Sequence, residues 1–326
     1  VRHLDSEYMS DLRWTSYALA ARWKDKRTRM GNAWCARTSR FYPTARGFVS
    51  QPEPRSFGVA ARGAQLATGN FFFAGGLVEA PDSSIWDITP TDEAFEQEIH
   101  GFAWMDDLFA AGGKANKALA CKWLLEWARR YRDGSGPGWR PQLAGRRVLR
   151  WINHSIALLG QMDLAEQKLF FRILGQQARF LYRRWHVAAS GLPRFEAVTG
   201  LVYCGLALEG KERYVPRALR ALSRECDREI GEDGGIANRN PEQLMEIFTL
   251  LTWAARGIEA AESTPNRSHL LAMERIAPTL RALRLGDGSL AQVHGGGVGI
   301  AGKLDQALSD SSIRLPARPG GGMGYA

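Results

Sequence analysis

From about residue 91 to residue 285 this chain reads as one helix after another, broken by turn signals that recur at intervals suited to helical hairpins. The signals are Asp133-Gly134, Gly191-Leu192-Pro193, Asp233-Gly234-Gly235 and Asp287-Gly288, spaced 43 to 57 residues apart. Between them the apolar residues return at three- and four-residue steps, the period of a helix buried on one face. The pattern predicts helices over 92–111, 114–132, 141–160, 163–188, 191–208, 213–230, 240–262 and 266–284. Pro141 and Pro241 fall where a helix tolerates proline, in its first turn. The repeat is architectural and carries no obvious sequence identity. It predicts an all-α fold of antiparallel hairpins, arranged as a bundle, a solenoid or a two-layer ring.

The flanks read differently. Helical periodicity covers roughly 6–26, after which Pro, Gly, Ser and Arg dominate. Asn70-Phe71-Phe72-Phe73-Ala74-Gly75-Gly76 looks like a short strand or buried turn, its phenylalanines an anchor into the helical core. After Leu285 the chain becomes Gly-rich, and the run Gly295 to Gly299 lacks the Lys-Ser/Thr that a phosphate loop needs. The expected organisation is an N-terminal helix with an irregular extension over 1–90, a helical domain over 91–284 and a Gly-rich linker over 285–326. Because the sequence opens on Val1 and closes on Gly-Gly-Met-Gly-Tyr-Ala326, it reads as a fragment at both ends. The compartment therefore stays open, with periplasm and cell envelope among the choices.

Charge narrows the partner. The net charge is +9, and the stretch from Lys122 to Arg184, with thirteen Lys/Arg and four Asp/Glu, carries all of it in sum. Seven of the eleven Trp lie between Trp86 and Trp185. A basic, Trp-rich block implies an anionic partner. Helical nucleic-acid readers bring Lys/Arg runs or a recognisable motif, and this chain has neither, so nucleic acid is not expected. The four Cys are far apart, with no metal-ligand spacing to His, so no metal or other cofactor is expected. Cys121 and Cys204 sit inside apolar helical patterns as small hydrophobes. The longest mostly apolar stretch, 197–208, is too short to span a bilayer.

The segment from Trp139 to His154 concentrates the candidates. Read as a helix, it carries an apolar stripe of Val148, Leu149, Ile152, Ile156 and Leu159. Arg147, Arg150 and His154 fall roughly opposite, with Trp151 and Asn153 on the flanks. Guanidinium suits carboxylate or sulfate, and indole stacks on a sugar ring. Trp139, Arg140, Trp151, Arg146, Arg147 and Arg150 are thus candidate substrate contacts. The competing reading is a solvated face with core tryptophans. His154 is a candidate base or a structural imidazole. Asn240 reads as a helix N-cap, leaving Arg239 the better carboxylate contact.

The order Asn70-Phe-Phe-Phe-Ala-Gly75, His100-Gly-Phe-Ala-Trp104, Trp139-Arg-Pro141, Arg146-Arg147, Trp151-x-x-His154-Ser155, Asp233-Gly-Gly235, Arg239-Asn-Pro241 and Gly286-Asp-Gly-Ser289 resembles bacterial heparinase II/III-like proteins. The resemblance implies an incomplete α/α toroid followed by a β-sandwich, of which this sequence would be the toroid alone. It also implies a polysaccharide lyase acting by β-elimination on uronic-acid-containing chains. That chemistry needs a group to neutralise the C6 carboxylate, a base for the C5 proton and an acid for the departing O4. Carried over by position, the resemblance makes His154, Asn153, Arg239 and His294 the catalytic candidates, with Asn240 among the substrate contacts. Two departures stand out. Asp233-Gly234-Gly235 is followed by Ile236 where relatives commonly have His, and no Tyr lies between Tyr214 and Tyr325. The alternative the residues leave open is a non-catalytic helical domain that binds anionic glycans.

Overall fold

The computed structural model describes residues 2–49, 54–297 and 299–317, and for residues 2–18 and residue 21 the backbone alone. The end of the expected linker, 318–326, lies outside them. Helix α1 (Arg2–Ser39) is followed by α2 (Ala60–Ala67) and a two-stranded antiparallel hairpin. In the hairpin β1 (Asn70–Phe73) pairs with β2 (Gly76–Glu79), Asn70 opposite Glu79 and Phe73 opposite Gly76. Then come α3 (Glu93–Gly101), α4 (Ala103–Ala111), α5 (Gly113–Tyr131), α6 (Pro141–Asn153), α7 (Ser155–Leu159) and α8 (Leu164–Arg184). The series closes with α9 (Leu192–Ala207), α10 (Val215–Glu229), α11 (Pro241–Ala260), α12 (Arg267–Ala282) and α13 (Lys303–Ser311).

The helices form two layers. In the inner layer α2, α4, α6, α9, α11 and α13 follow one another, each packed on the next. Behind them α5 backs α4, α8 backs α6 and α9, α10 backs α9, and α12 backs α11. The arrangement is the expected all-α, incomplete α/α toroid. The helix starts have local causes. The Asp163 side chain accepts from Glu166 N–H at 2.8 Å, and the Glu166 side chain reaches back to Asp163 N–H, closing a capping box at the start of α8. Asn240 caps α11 through Gln243 N–H at 3.0 Å, with Pro241 in the first turn.

Two predicted helices are each broken once. The break in 92–111 falls at Phe102, which adopts a left-handed conformation (φ 64°) and is fully buried. A left-handed non-glycine costs roughly 1–2 kcal/mol. Burial of the ring against Trp86, Trp104, Trp127 and Trp151 holds it there. The turn aims α4 so that Asp106 and Asp107 face the inner side. The break in 141–160 falls at His154, and Ile156, assigned to the apolar stripe, is exposed.

Candidate functional site

The inner helices enclose a cleft of about 570 Å³. α2 contributes Arg62, α4 Asp106 and Asp107, and α6 Arg146, Leu149 and Arg150. α9 contributes Glu196, α11 supplies Glu242, Glu246 and Trp253, and α13 brings Lys303. The β-hairpin adds Phe72, half-exposed at 49%, and the segment before α2 adds Phe57. The helices approach this closely because two glycines meet. A Cβ on Gly145 would come within 2.2 Å of the Glu196 carbonyl, and one on Gly200 within 2.6 Å of Gly145 Cα. That crossing of α6 over α9 brings Arg146 and Glu196 together at the floor, Nε to Oε1 at 3.5 Å.

The cleft is richer in carboxylates than in cations. Six Asp and Glu line it against four Arg and Lys. Arg146 Nη2 lies 2.8 Å from Glu98 Oε1, Arg150 Nε lies 2.9 Å from Asp106 Oδ2, and Lys303 pairs with Glu246. Among the described residues Arg62 is the lining cation without an ion pair. Asp107 accepts from Val59 N–H at 2.7 Å. Burial pushes Asp107 up to about 6. Burial pushes Glu196 up to about 7, Arg146 offsetting part of this while Glu98 and Glu246 add to it. Burial acts on Asp106 in the same direction, but Arg150 and His154 outweigh it and hold Asp106 below the ordinary carboxylate range.

The candidates from the sequence separate into three groups. Arg146, Arg150 and Asn240 line the cleft. His154 and Asn153 stand behind it. His154 is buried, its Nε2 2.8 Å from Asp106 Oδ1 and its ring stacked on Phe109 with centroids 4.0 Å apart. The imidazole therefore orients a cleft carboxylate and has no surface to offer a ligand. Asn153 donates to the Arg55 carbonyl at 2.6 Å. The third group is core. Trp139, Arg147 and Trp151 are buried, Arg147 and Trp151 fully. The expectation that Arg147 would share a groove with Arg150 and His154 is corrected here. α6 is covered on nearly every side by α3, α8 and α9, so it has no solvated face opposite its apolar stripe. Its partly open edge carries Arg146 and Arg150.

Arg140 pairs with Glu93 on the outer side. Arg239 is exposed in a left-handed turn (φ 55°) before α11. His294 is exposed on a loop whose carbonyl accepts from Asn240 Nδ2 at 3.2 Å, and its neighbour Gly295 lines the cleft. The sequence reading missed the carboxylates. Glu242 and Glu246 were the legible ones, since a four-residue step places both on one helix face.

No family model matches the chain. Among solved structures, a heparan sulfate lyase HepC mutant from Pedobacter heparinus superposes with a TM-score of 0.54 at 17% identity, covering 84% of this chain and 46% of that one. Heparinase III superposes with a TM-score of 0.52 at 15% identity, over 67% of this chain and 34% of that one. The fold is thus an all-α toroid of the kind seen in heparinase III. Among curated proteins, FtsZ-localized protein C of Caulobacter vibrioides is 30% identical over 262 residues, 78% of this chain and 44% of the relative. The chain spans less than half the length of each of these relatives.

Proposed function

We propose that the toroid binds a saccharide chain in the inner cleft and, through the described residues, holds it without cleaving it. The observation that carries this reading is the cleft lining: ion-paired carboxylates and guanidinia beside Phe57, Phe72 and Trp253, with no His or Tyr among the lining residues. Carboxylates accept from sugar hydroxyls, guanidinia donate to ring and carbonyl oxygens, and aromatic faces take the apolar side of a pyranose. Arg62 apart, an acidic chain would have to displace Glu98, Asp106 and Glu246 to reach the lining cations. The lining therefore favours a neutral or amino-bearing glycan over the uronic-acid chain implied by the resemblance to heparinase II/III-like proteins. Titration calorimetry with neutral, amino-bearing and uronic-acid oligosaccharides tests it. Phe72→Ala, at the exposed aromatic of the lining, should weaken binding of the preferred class more than about tenfold. Tighter binding of the uronic-acid chains would overturn the ligand assignment.

A second reading is a lyase. It is supported by the fold shared with HepC and heparinase III and by Glu196, a buried cleft carboxylate poised near 7 and able to accept a proton at neutral pH. Arg146 and Arg150 would face the substrate carboxylate. Elimination leaves a C4–C5 double bond conjugated to that carboxylate, and its ultraviolet absorbance reports turnover directly. Turnover lost in Glu196→Gln would establish this reading. The curated relative's name supports one proposal about place: this protein co-localises with FtsZ, which imaging of a fluorescent fusion beside labelled FtsZ would check.

A further inference from the structure

Helix α1 has two faces, and the cleft uses neither. At 100° per residue, the buried residues Asn32, Cys35, Ala36 and Ser39 centre on one side, where α1 packs on α8. Leu19, Trp23, Met30 and Trp34 lie within an arc of about 60° on the opposite side. All four are exposed, at 56%, 69%, 65% and 66%. Phe41, 74% exposed, extends the stripe into the turn after the helix. Four large apolar side chains in a row on a solvent face form a contiguous apolar surface.

The charges around the stripe say what covers it. Between Leu19 and Tyr42 there are seven Lys/Arg and one Asp. Lys26 and Arg27 flank the stripe on its two sides, each about 50° from its centre, exposed Arg37 falls within its arc between Trp34 and Phe41, and Arg22 and Lys24 stand further round. Lys26 Nζ lies 5.6 Å from the Trp23 ring centroid, its stem along the indole. Asp25 points nearly opposite the stripe, toward Arg29 at 2.7 Å. A second copy of this helix would bring like charges together along both edges. An anionic surface accepts both features at once: the apolar row sinks below the headgroups while the flanking cations meet phosphates. No described helix is long and apolar enough to cross a membrane. We propose that the 19–41 stretch lies in the plane of an anionic phospholipid bilayer, Leu19, Trp23, Met30, Trp34 and Phe41 in the acyl boundary and Lys26 and Arg27 at the headgroups. The toroid would then be held at the membrane by α1.

The test is co-sedimentation with vesicles of phosphatidylcholine alone and of equal parts phosphatidylcholine and phosphatidylglycerol. The protein should pellet with the mixed vesicles, weakly with the neutral ones, and less as salt rises. Trp23→Ser with Trp34→Ser should lower the partition by about tenfold or more, and Lys26→Gln with Arg27→Gln should remove the preference for anionic vesicles. These side chains are exposed, and circular dichroism of each variant checks that the helices remain. Failure to pellet, or pelleting unchanged in the tryptophan variant, would overturn the proposal. So would a dimer in sedimentation velocity that the tryptophan changes dissociate, because the stripe would then be covered by a second copy.

Discussion

At the scale of single residues, Arg147 shows why a basic residue in a sequence is not yet a binding residue. Its guanidinium lies 3.9 Å from the Trp127 ring centroid, with Nε donating to Gln177 at 2.7 Å and Nη1 to the His100 carbonyl at 3.0 Å. Burial presses its pKa well down, and planar stacking with carbonyl hydrogen bonds is what keeps it in place. Arg147→Lys should cost about 2–4 kcal/mol in urea unfolding, because an ammonium cannot span these partners. Ligand affinity of the folded protein should not change. Two buried titratable groups, one of them beside Arg147, give opposite pH signatures. His100, buried and accepting from Trp127 Nε1 at 3.0 Å, is pushed down to about 3 by burial and by Arg147. The unfolded chain takes up this proton first, so the contribution is complete above about 6.5 and is lost as pH falls toward 3. Glu196 runs the other way. The folded state holds its proton more tightly, so the contribution is complete below about 4.5 and falls away as pH rises to 7. Denaturation curves of Glu196→Gln should lack that neutral-range slope, and imidazole signals should show His100 still neutral near pH 5.

At the scale of elements, the crossing of α6 over α9 sets the site. It depends on Gly145 and Gly200, where a methyl group would meet backbone. Gly145→Ala gains helix propensity of roughly 1 kcal/mol but must separate the helices. A net loss of about 1–3 kcal/mol in urea unfolding is expected, with weakened ligand binding because Arg146 and Glu196 move apart. Helix positions were legible in the sequence because Pro141, Pro241, the Asn240 cap and the Asp-Gly turns act locally. The breaks at Phe102 and His154 were not, since both depend on tertiary partners: the aromatic cluster around Phe102, and Asp106 with Phe109 around His154. The face that α6 turns to the cleft was also misread. Periodicity assumes one buried side, whereas α6 is packed on nearly all sides and opens along a narrow edge.

At the scale of the whole molecule, charge added along the chain did not locate the site. The basic stretch spends Arg129 on Glu166, Arg130 on Asp87, Arg146 on Glu98 and Arg150 on Asp106. Among the rest, Arg147 is buried, Arg183 and Arg184 bond to Thr38 and Asn32, and Arg132, Lys168 and Arg172 line a shallow groove on the outer layer between α5 and α8. The cleft lies on the inner side and is rich in carboxylates, a fact that needs the fold to bring α4, α9 and α11 together. This separation makes a prediction about salt. Charges exposed on the outer layer are screened over roughly 8–10 Å at physiological ionic strength. An acidic polysaccharide that meets this protein on the outer groove should therefore lose affinity steeply between low and physiological salt. A glycan in the cleft, held by hydroxyl contacts and Phe72, should bind almost independently of salt. Replacing Arg132, Lys168 and Arg172 by Gln should abolish the first binding mode and leave the second, while Phe72→Ala should do the reverse. Titrations of the two variants at two salt concentrations separate the modes, and a single mode sensitive to both sets of changes would show that cleft and outer groove act as one site.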